Sequence, residues 1–169
     1  PVSEYAAQIR RWKGNGKLLA AVAQDFMCET QMLAKTGLTV AEHQRLTIER
    51  YDALIAEDTG VYIMPVLQGY SPKEYREHVR MYGDRLKPGA WVGVGSVCKR
   101  NGDPRAIESV LSGIKRAAPS LRLHGFGLKI TALGSGLVRQ HLHTADSMAW
   151  SFSARKQGRD GNAWEEAQA

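Results

Sequence analysis

Short apolar runs recur along this chain about every 30 residues, and a segment with helical spacing lies between each pair. The runs begin near residues 18, 61, 91, 121 and 147. Strands alternating with helices in this way predict a parallel sheet built from βα units. Parallel neighbours need a crossover long enough to carry the chain back to the same edge, so this rhythm limits the fold more than any other feature. Trp91 to Val97 shows the pattern most plainly: an apolar, β-branched run between Pro88-Gly89 and the polar stretch Lys99-Arg100-Asn101-Gly102.

Val2-Ser3-Glu4 opens an amphipathic segment in which Ser3 is spaced to cap and Tyr5, Ile9 and Trp12 share a face. Gly14-Asn15-Gly16 ends it. Lys17 to Phe26 reads as a strand finishing on Gln24 and Asp25, and Met27 to Leu38 as a long loop. Thr39 and Glu42 have the spacing of a capping box, with Ile48, Tyr51 and Ile55 as the apolar stripe behind it. Val61 to Leu67 reads as a strand in which Pro65, lacking an N–H, predicts a bulge or a strand end. Ser71-Pro72-Lys73-Glu74 and Asp103-Pro104 are helix starts, followed by the stripes Tyr75, Val79, Tyr82 and Ile107, Val110, Leu111, Ile114. Leu121 to Leu128 reads as the fourth strand, Ile130 to His141 as a short helix and Ser147 to Phe152 as the fifth strand. The organisation expected is one folded portion over residues 1–156 and a polar, poorly packed tail over 157–169.

The 169 residues suffice for one core. An excess of 23 Lys and Arg over 17 Asp and Glu gives a net charge of +6, which suits a polyanionic partner or simply a solvated basic surface. Cys28 and Cys98 are the only cysteines and form no C-x-x-C, so neither a disulfide framework nor a thiolate zinc cluster is indicated, and no metal or cofactor is expected. No apolar run could span a bilayer and no secretory signal opens the chain, so a cytoplasmic address without a membrane partner is expected. Gly93-Val94-Gly95 and Gly125-Phe126-Gly127 both lack the third glycine of a dinucleotide fingerprint.

In a parallel α/β protein the chemistry gathers at the C-terminal ends of the strands, in an open doubly wound sheet and in a (β/α)8 barrel alike. Here those ends carry Gln24 and Asp25, Gln68 and Gly69, Gly95 and Ser96 with Lys99, His124 to Gly127 with Lys129, and Asp146 with Trp150, Ser151 and Arg155. Amide and carboxylate groups suit the hydrogen-bonding edge of a nitrogenous base. Glycines let a planar ring approach the backbone, and cations hold a phosphate backbone in register. Plainer roles stand beside these: Asp25 capping a loop, the glycines admitting tight packing, His124 as a satisfied core histidine, Asp146 as a cap or ion-pair partner at the start of its strand, Trp150 as filling.

The ordered motifs VAQD, PVLQG, WVGVGSV, LRLHGFG and TADSMAWSFSAR resemble the later half of the tRNA-guanine (queuine or archaeosine) transglycosylase barrel, and most closely its DNA-acting DpdA-type relatives, over roughly residues 18 to 160. The resemblance implies a (β/α)8 TIM-barrel type fold present as about five βα units. It also implies a pentosyltransferase that replaces guanine in DNA, or alternatively in tRNA, with a 7-deazaguanine base such as preQ0. On the matching positions, Asp25 and Gln68 read the base, Gly95 and Ser96 its substituted five-membered ring, and Gly125 and Gly127 lie beside ribose and phosphate. Lys99, Lys129 and Arg155 then supply cations to the phosphates. In the tRNA enzymes the last motif has two aspartates three residues apart, the second being the nucleophile. Here Asp146 holds the first place and Ala149 the second, so the alternatives are Asp146 as the catalytic residue, a carboxylate from elsewhere, or a chain that does not catalyse the exchange. The family's zinc cluster and its earlier Asp-Ser-Gly-Gly motif have no counterpart. The missing barrel half is expected from an upstream segment or a partner chain, since a partial barrel exposes strand edges, and the start at Pro1 agrees with a partial chain.

Two other readings stay open. A phosphate-binding metabolic barrel would use Gly125 to Gly127 and Lys129 to hold a small phosphorylated ligand. A non-catalytic barrel would bind nucleic acid or a partner chain, in keeping with Ala149.

Overall fold

The computed structural model describes residues 1–168. Among them the elements run α1 (Val2–Trp12), β1 (Ala20–Val22), α2 (Thr30–Thr36), α3 (Val40–Ala56), β2 (Tyr62–Met64), β3 (Val66–Leu67), α4 (Pro72–Tyr82), β4 (Trp91–Val94), α5 (Pro104–Ala117), β5 (Arg122–Gly125), α6 (Ile130–Leu133), α7 (Gly136–Arg139), β6 (Leu142–Ala145) and α8 (Ala149–Lys156). Single 3₁₀ turns lie at Gly83–Arg85, Val97–Arg100 and Trp164–Ala167.

Every described strand pair is parallel, and the neighbours follow chain order: β1 with β2, then β3, β4, β5 and β6 side by side. Pro65 separates β2 from β3. It has no N–H to donate, but its carbonyl still accepts from the Gly93 N–H at 2.9 Å, so the stretch continues from one sheet into the other. A doubly wound sheet reverses its strand order at a switch point, and these strands do not reverse. The fold is therefore α/β with parallel sheets wound in one direction. No barrel is closed: among the described residues the outer edges of β1 and β6 have no strand partner.

The helix starts obey local chemistry. Thr39 and Glu42, and Ser71 and Glu74, form reciprocal capping boxes, and Asp103 accepts from the Ala106 N–H ahead of Pro104. Each such cap contributes about 1 kcal/mol. Behind them, Tyr75 and Tyr82 of α4 and Ile107, Val110, Leu111 and Ile114 of α5 pack on Leu67, Val92, Val94 and Leu123 of the sheet. Burying each of those aliphatic chains is worth about 1.5–3 kcal/mol. A smaller cluster joins Ala6 and Ile9 of α1 to Ala21, Ala23, Leu54 and Ile63. Since side chains alternate along a strand, Trp91, Gly93 and His124 point to the face opposite α4 and α5.

Several expectations are corrected. Ser3 does not cap α1; the cap position is Pro1, without a side-chain bond. Trp12 and Ile55 lie exposed, although both fall on predicted apolar stripes. The expected loop between Met27 and Leu38 contains α2, and the single helix from Ile130 to His141 is two one-turn helices separated by Gly134-Ser135. The fifth strand is Leu142–Ala145, whereas Ser147 to Phe152 leads into and forms most of α8. That shift matters, because Asp146 then stands just past the C-terminal end of β6 and not at the start of a strand. Trp150 consequently sits on α8. Within the described part of the tail, the Gly161 carbonyl accepts from Ser151 Oγ at 2.6 Å, and Arg159 pairs with Glu166 at 2.8 Å.

Candidate nucleic-acid base site

Asp25, Gln68 and Ser96 follow the ends of β1, β3 and β4, and the sheet brings them into one hydrogen-bonded chain. The Gln68 amide Nε2 donates to Asp25 Oδ2, and its Oε1 accepts from Ser96 Oγ at 3.0 Å. The amide orientation is thereby fixed, because a carboxylate can only accept. Asp25 keeps an open side to solvent. The surrounding protein still raises its carboxyl above the usual carboxylate range by desolvation, opposed by the Gln68 hydrogen bond.

Helix α3 holds the Asp25 loop and Gln68 of this chain with polar residues that sequence reasoning did not single out. Thr47 Oγ1 accepts from the Phe26 N–H at 2.9 Å, and His43 Nδ1 donates to the Met27 carbonyl at 2.8 Å, which pins the loop carrying Asp25. Gln44 Nε2 donates to the Gln68 carbonyl at 2.7 Å and to the Glu74 carbonyl at 2.9 Å. From α4, His78 Nδ1 accepts from the Gln68 N–H at 2.8 Å while its Nε2 donates to the Gln44 carbonyl at 3.1 Å. Burial pushes the His78 pKa down to about 4, so the ring is neutral. His43, Gln44, Thr47 and His78 are all buried. A buried polar stripe interrupting a helix's apolar face is the signal that could have found them.

Ser96 adopts a left-handed backbone, φ 59°, although it is not glycine. Non-glycine residues in that region cluster at functional sites. The Ser96 carbonyl accepts from Arg100 Nη1 at 2.9 Å, and the Tyr75 hydroxyl donates to the Gly95 carbonyl at 2.6 Å. Beside Ser96 opens a cavity of about 190 Å³ lined by Glu29, Thr30, Gln31, Tyr70, Ser96 and Lys99. Lys99 pairs with Glu29 at 3.4 Å within that lining.

The protein's own side chains make the close approach that the glycines permit. A Cβ on Gly95 would stand 2.1 Å from Gln68 Nε2, one on Gly93 2.3 Å from the Phe126 ring, one on Gly125 2.4 Å from Leu128, and one on Gly127 2.9 Å from Cys98 Cβ. Gly95 is thus what allows Gln68 to lie across the end of β4.

Asp146 belongs to a second group. Its Oδ1 accepts from the Gly127 N–H at 3.1 Å and lies 3.2 Å from His124 Nε2, while half of its side chain remains exposed. Asn101 links the two groups by donating from Nδ2 to the Cys98 carbonyl at 2.7 Å and the Gly127 carbonyl at 3.0 Å. Its Oδ1 accepts from the backbone N–H of Lys129, whose side chain is exposed. Arg155 stands apart on α8, where its guanidinium packs against Gly161 and lies 3.5 Å from Asn162 Oδ1. Among the described residues no group of three or more His, Cys, Asp or Glu is arranged to hold a metal ion.

Chemically, the first group offers a carboxylate acceptor and a fixed amide for one edge of a flat heterocycle. The second offers a solvent-facing carboxylate anchored through one oxygen. Compared with protein families, residues 1–163 match DpdA, described as DeoxyPurine in DNA protein A. No curated protein matches the sequence. No described helix is long and apolar enough to cross a membrane.

Proposed function

This chain belongs to the DpdA family, and from that membership we propose that it takes part in 7-deazaguanine modification of DNA as a pentosyltransferase that exchanges guanine for a 7-deazaguanine base such as preQ0. The observation that carries the reading is the linked set Asp25, Gln68 and Ser96 at successive strand ends, with Asp146 at the end of β6 on the same edge. Three strand spacings separate the end of β3 from that of β6, about 14 Å along the sheet. That leaves room for a base together with its sugar.

In this reading the target nucleotide leaves the stack. Asp25 accepts from the N–H edge of the base, Gln68, which Gly95 admits across the end of β4, reads its carbonyl side, and Ser96 faces the five-membered ring beside the cavity. Asp146 attacks the anomeric carbon as the bond to guanine breaks, and the incoming base displaces the carboxylate from the same face. Hydrogen bonds to the charge that develops on the departing base are worth about 1.5–3 kcal/mol each. Gly125 and Gly127 lie beside the ribose, while Lys99, Lys129 and Arg155 contact phosphates, DNA being the preferred partner over tRNA. The consecutive strand order supports an arc of a (β/α)8-type barrel over residues 1–156, with further strands from an upstream segment or a partner chain covering the open edges.

The test is to incubate the full-length protein with duplex DNA and a 7-deazaguanine base, digest, and analyse the nucleosides by mass spectrometry. Deazaguanosine in DNA, lost in Asp146→Ala, is the expected result; incorporation that survives Asp146→Ala moves the nucleophile elsewhere. A second reading has one observation in its favour: Ala149, at the position where the tRNA enzymes carry their nucleophile, is the first residue of α8. It predicts salt-sensitive DNA binding without base release.

A further inference from the structure

Four side chains on the opposite face of the sheet from α4 and α5 form a chain of hydrogen bonds that ends on Asp146. The indole Nε1–H of Trp91 can only donate, and it donates to Thr144 Oγ1 at 2.9 Å. Thr144 Oγ1 also stands 2.8 Å from His124 Nδ1, and His124 Nε2 stands 3.2 Å from Asp146 Oδ1. An ionised carboxylate only accepts. In the neutral ring His124 Nε2 therefore carries the proton and Nδ1 accepts, and the Thr144 hydroxyl turns its hydrogen toward the ring while receiving the indole N–H. The two ends of the chain fix the tautomer between them. Phe126 and Trp91 present edges to the ring, with centroids 4.7 Å and 6.0 Å away, and restrict its rotation. The Gly127 N–H adds a second donor to the same carboxylate oxygen, so both described hydrogen bonds fall on Oδ1 and none on Oδ2.

We infer that His124, held in its Nε2–H tautomer by Thr144 and Trp91, is a positioning residue for Asp146: with the Gly127 N–H it anchors Oδ1, leaving Oδ2 as the oxygen presented to the sugar. The inference rests on the reaction proposed above. Oδ2 bonds to the anomeric carbon as the bond from that carbon to N9 of guanine breaks, the electron pair leaving with the base. In the second step the incoming base attacks, the carbon–Oδ2 bond breaks, and its pair returns to the carboxylate. The two donors on Oδ1 stabilise that returning charge. The proton the incoming base loses at its attacking nitrogen balances the one the departing guanine takes up.

Two measurements test this separately from the reaction. Nitrogen-detected NMR of the full-length protein without substrate reads the His124 tautomer: Nε2–H alone is expected in the wild type, and mixed tautomers in Thr144→Val and Asp146→Asn. Single-turnover exchange on duplex DNA with a 7-deazaguanine base reads the role: His124→Ala is expected to slow exchange about 100-fold with DNA affinity unchanged, and His124→Gln, which keeps a donor, to recover about tenfold of that loss. An Nδ1–H tautomer in the wild type, or a wild-type rate in His124→Ala, overturns the inference. If the wild type exchanges no base, the proposed reaction fails, and the NMR result alone decides whether His124 fixes Asp146, a single Nε2–H tautomer supporting it and a mixture refuting it.

Discussion

Gln68 is buried among Asp25, Ser96, His78 and Gln44, with its amide and its backbone both engaged, whereas Asp146 keeps half of its side chain in solvent and hangs from two hydrogen bonds to one oxygen. The first arrangement fixes the orientation of a polar group before any ligand arrives. The second suits reaction with a polymer, whose sugar must reach the carboxylate without the protein unfolding around it. In the proposed reaction the amide that reads the base would thus sit in the folding core, and the reacting carboxylate on its rim.

If that contrast holds, activity and stability respond to different residues. Asp146→Ala should lower base exchange by at least about 10⁴-fold, yet shift the urea unfolding free energy by less than about 0.5 kcal/mol. A large stability loss there would dissolve the comparison. His78→Ala should do the reverse in kind, costing about 3 kcal/mol in urea unfolding, because it opens a cavity and strands the Gln68 N–H and the Gln44 carbonyl.

The same histidine gives the buried half a pH signature. Its folded pKa, pushed down to about 4, lies below the ordinary value of 6.5, so the unfolded chain binds more protons between those limits. Stability from this group is complete above about pH 6.5 and lost as pH falls toward 4, a drop on the order of 3 kcal/mol. Urea titrations at pH 7 and pH 4.5 should show most of that difference in the wild type and far less in His78→Gln. Gly95→Ala comes next, at about 1–3 kcal/mol of unfolding free energy, because the new methyl displaces Gln68, which makes the close contact. Loss of base selectivity should accompany it. Smallest in stability is Asp25→Asn: desolvation raises the Asp25 carboxyl, so its charged form opposes folding near neutral pH and its removal should not lower the unfolding midpoint. Base binding measured by calorimetry should nevertheless fall.

The site was partly legible before the fold. Asp25 and Gln68 announced themselves as polar residues closing apolar runs, and Ser96 as a small residue beside cations. Asp146 was legible as a residue but not in its place. Leu142–Ala145 is an edge strand with alternating partial exposure, so its four residues carry little apolar signal. The richer run after it packs Ser151 and Ala154 at helical spacing, and so forms α8. His124 was legible as a residue at a strand end but not in its partners, because a histidine within a strand looks the same whether or not a threonine and an aspartate from the next strand face it.

By itself the sequence determined what depends on neighbours a few residues away: the capping boxes at Thr39 and Ser71, the Asp103-Pro104 helix start, the break at Pro65 and the βα rhythm that makes the sheet parallel. These are contacts within one turn of chain, with little closure entropy to overcome. Only the tertiary structure decided that Asp25 would meet Gln68 across 43 positions and Gln68 would meet Ser96 across 28, that α3 would bury polar side chains to hold them, and that Asp146 would reach the mouth of the sheet under His124. Such contacts exist because parallel strands bring their C-terminal ends together on one edge, a juxtaposition that no local stretch of residues encodes.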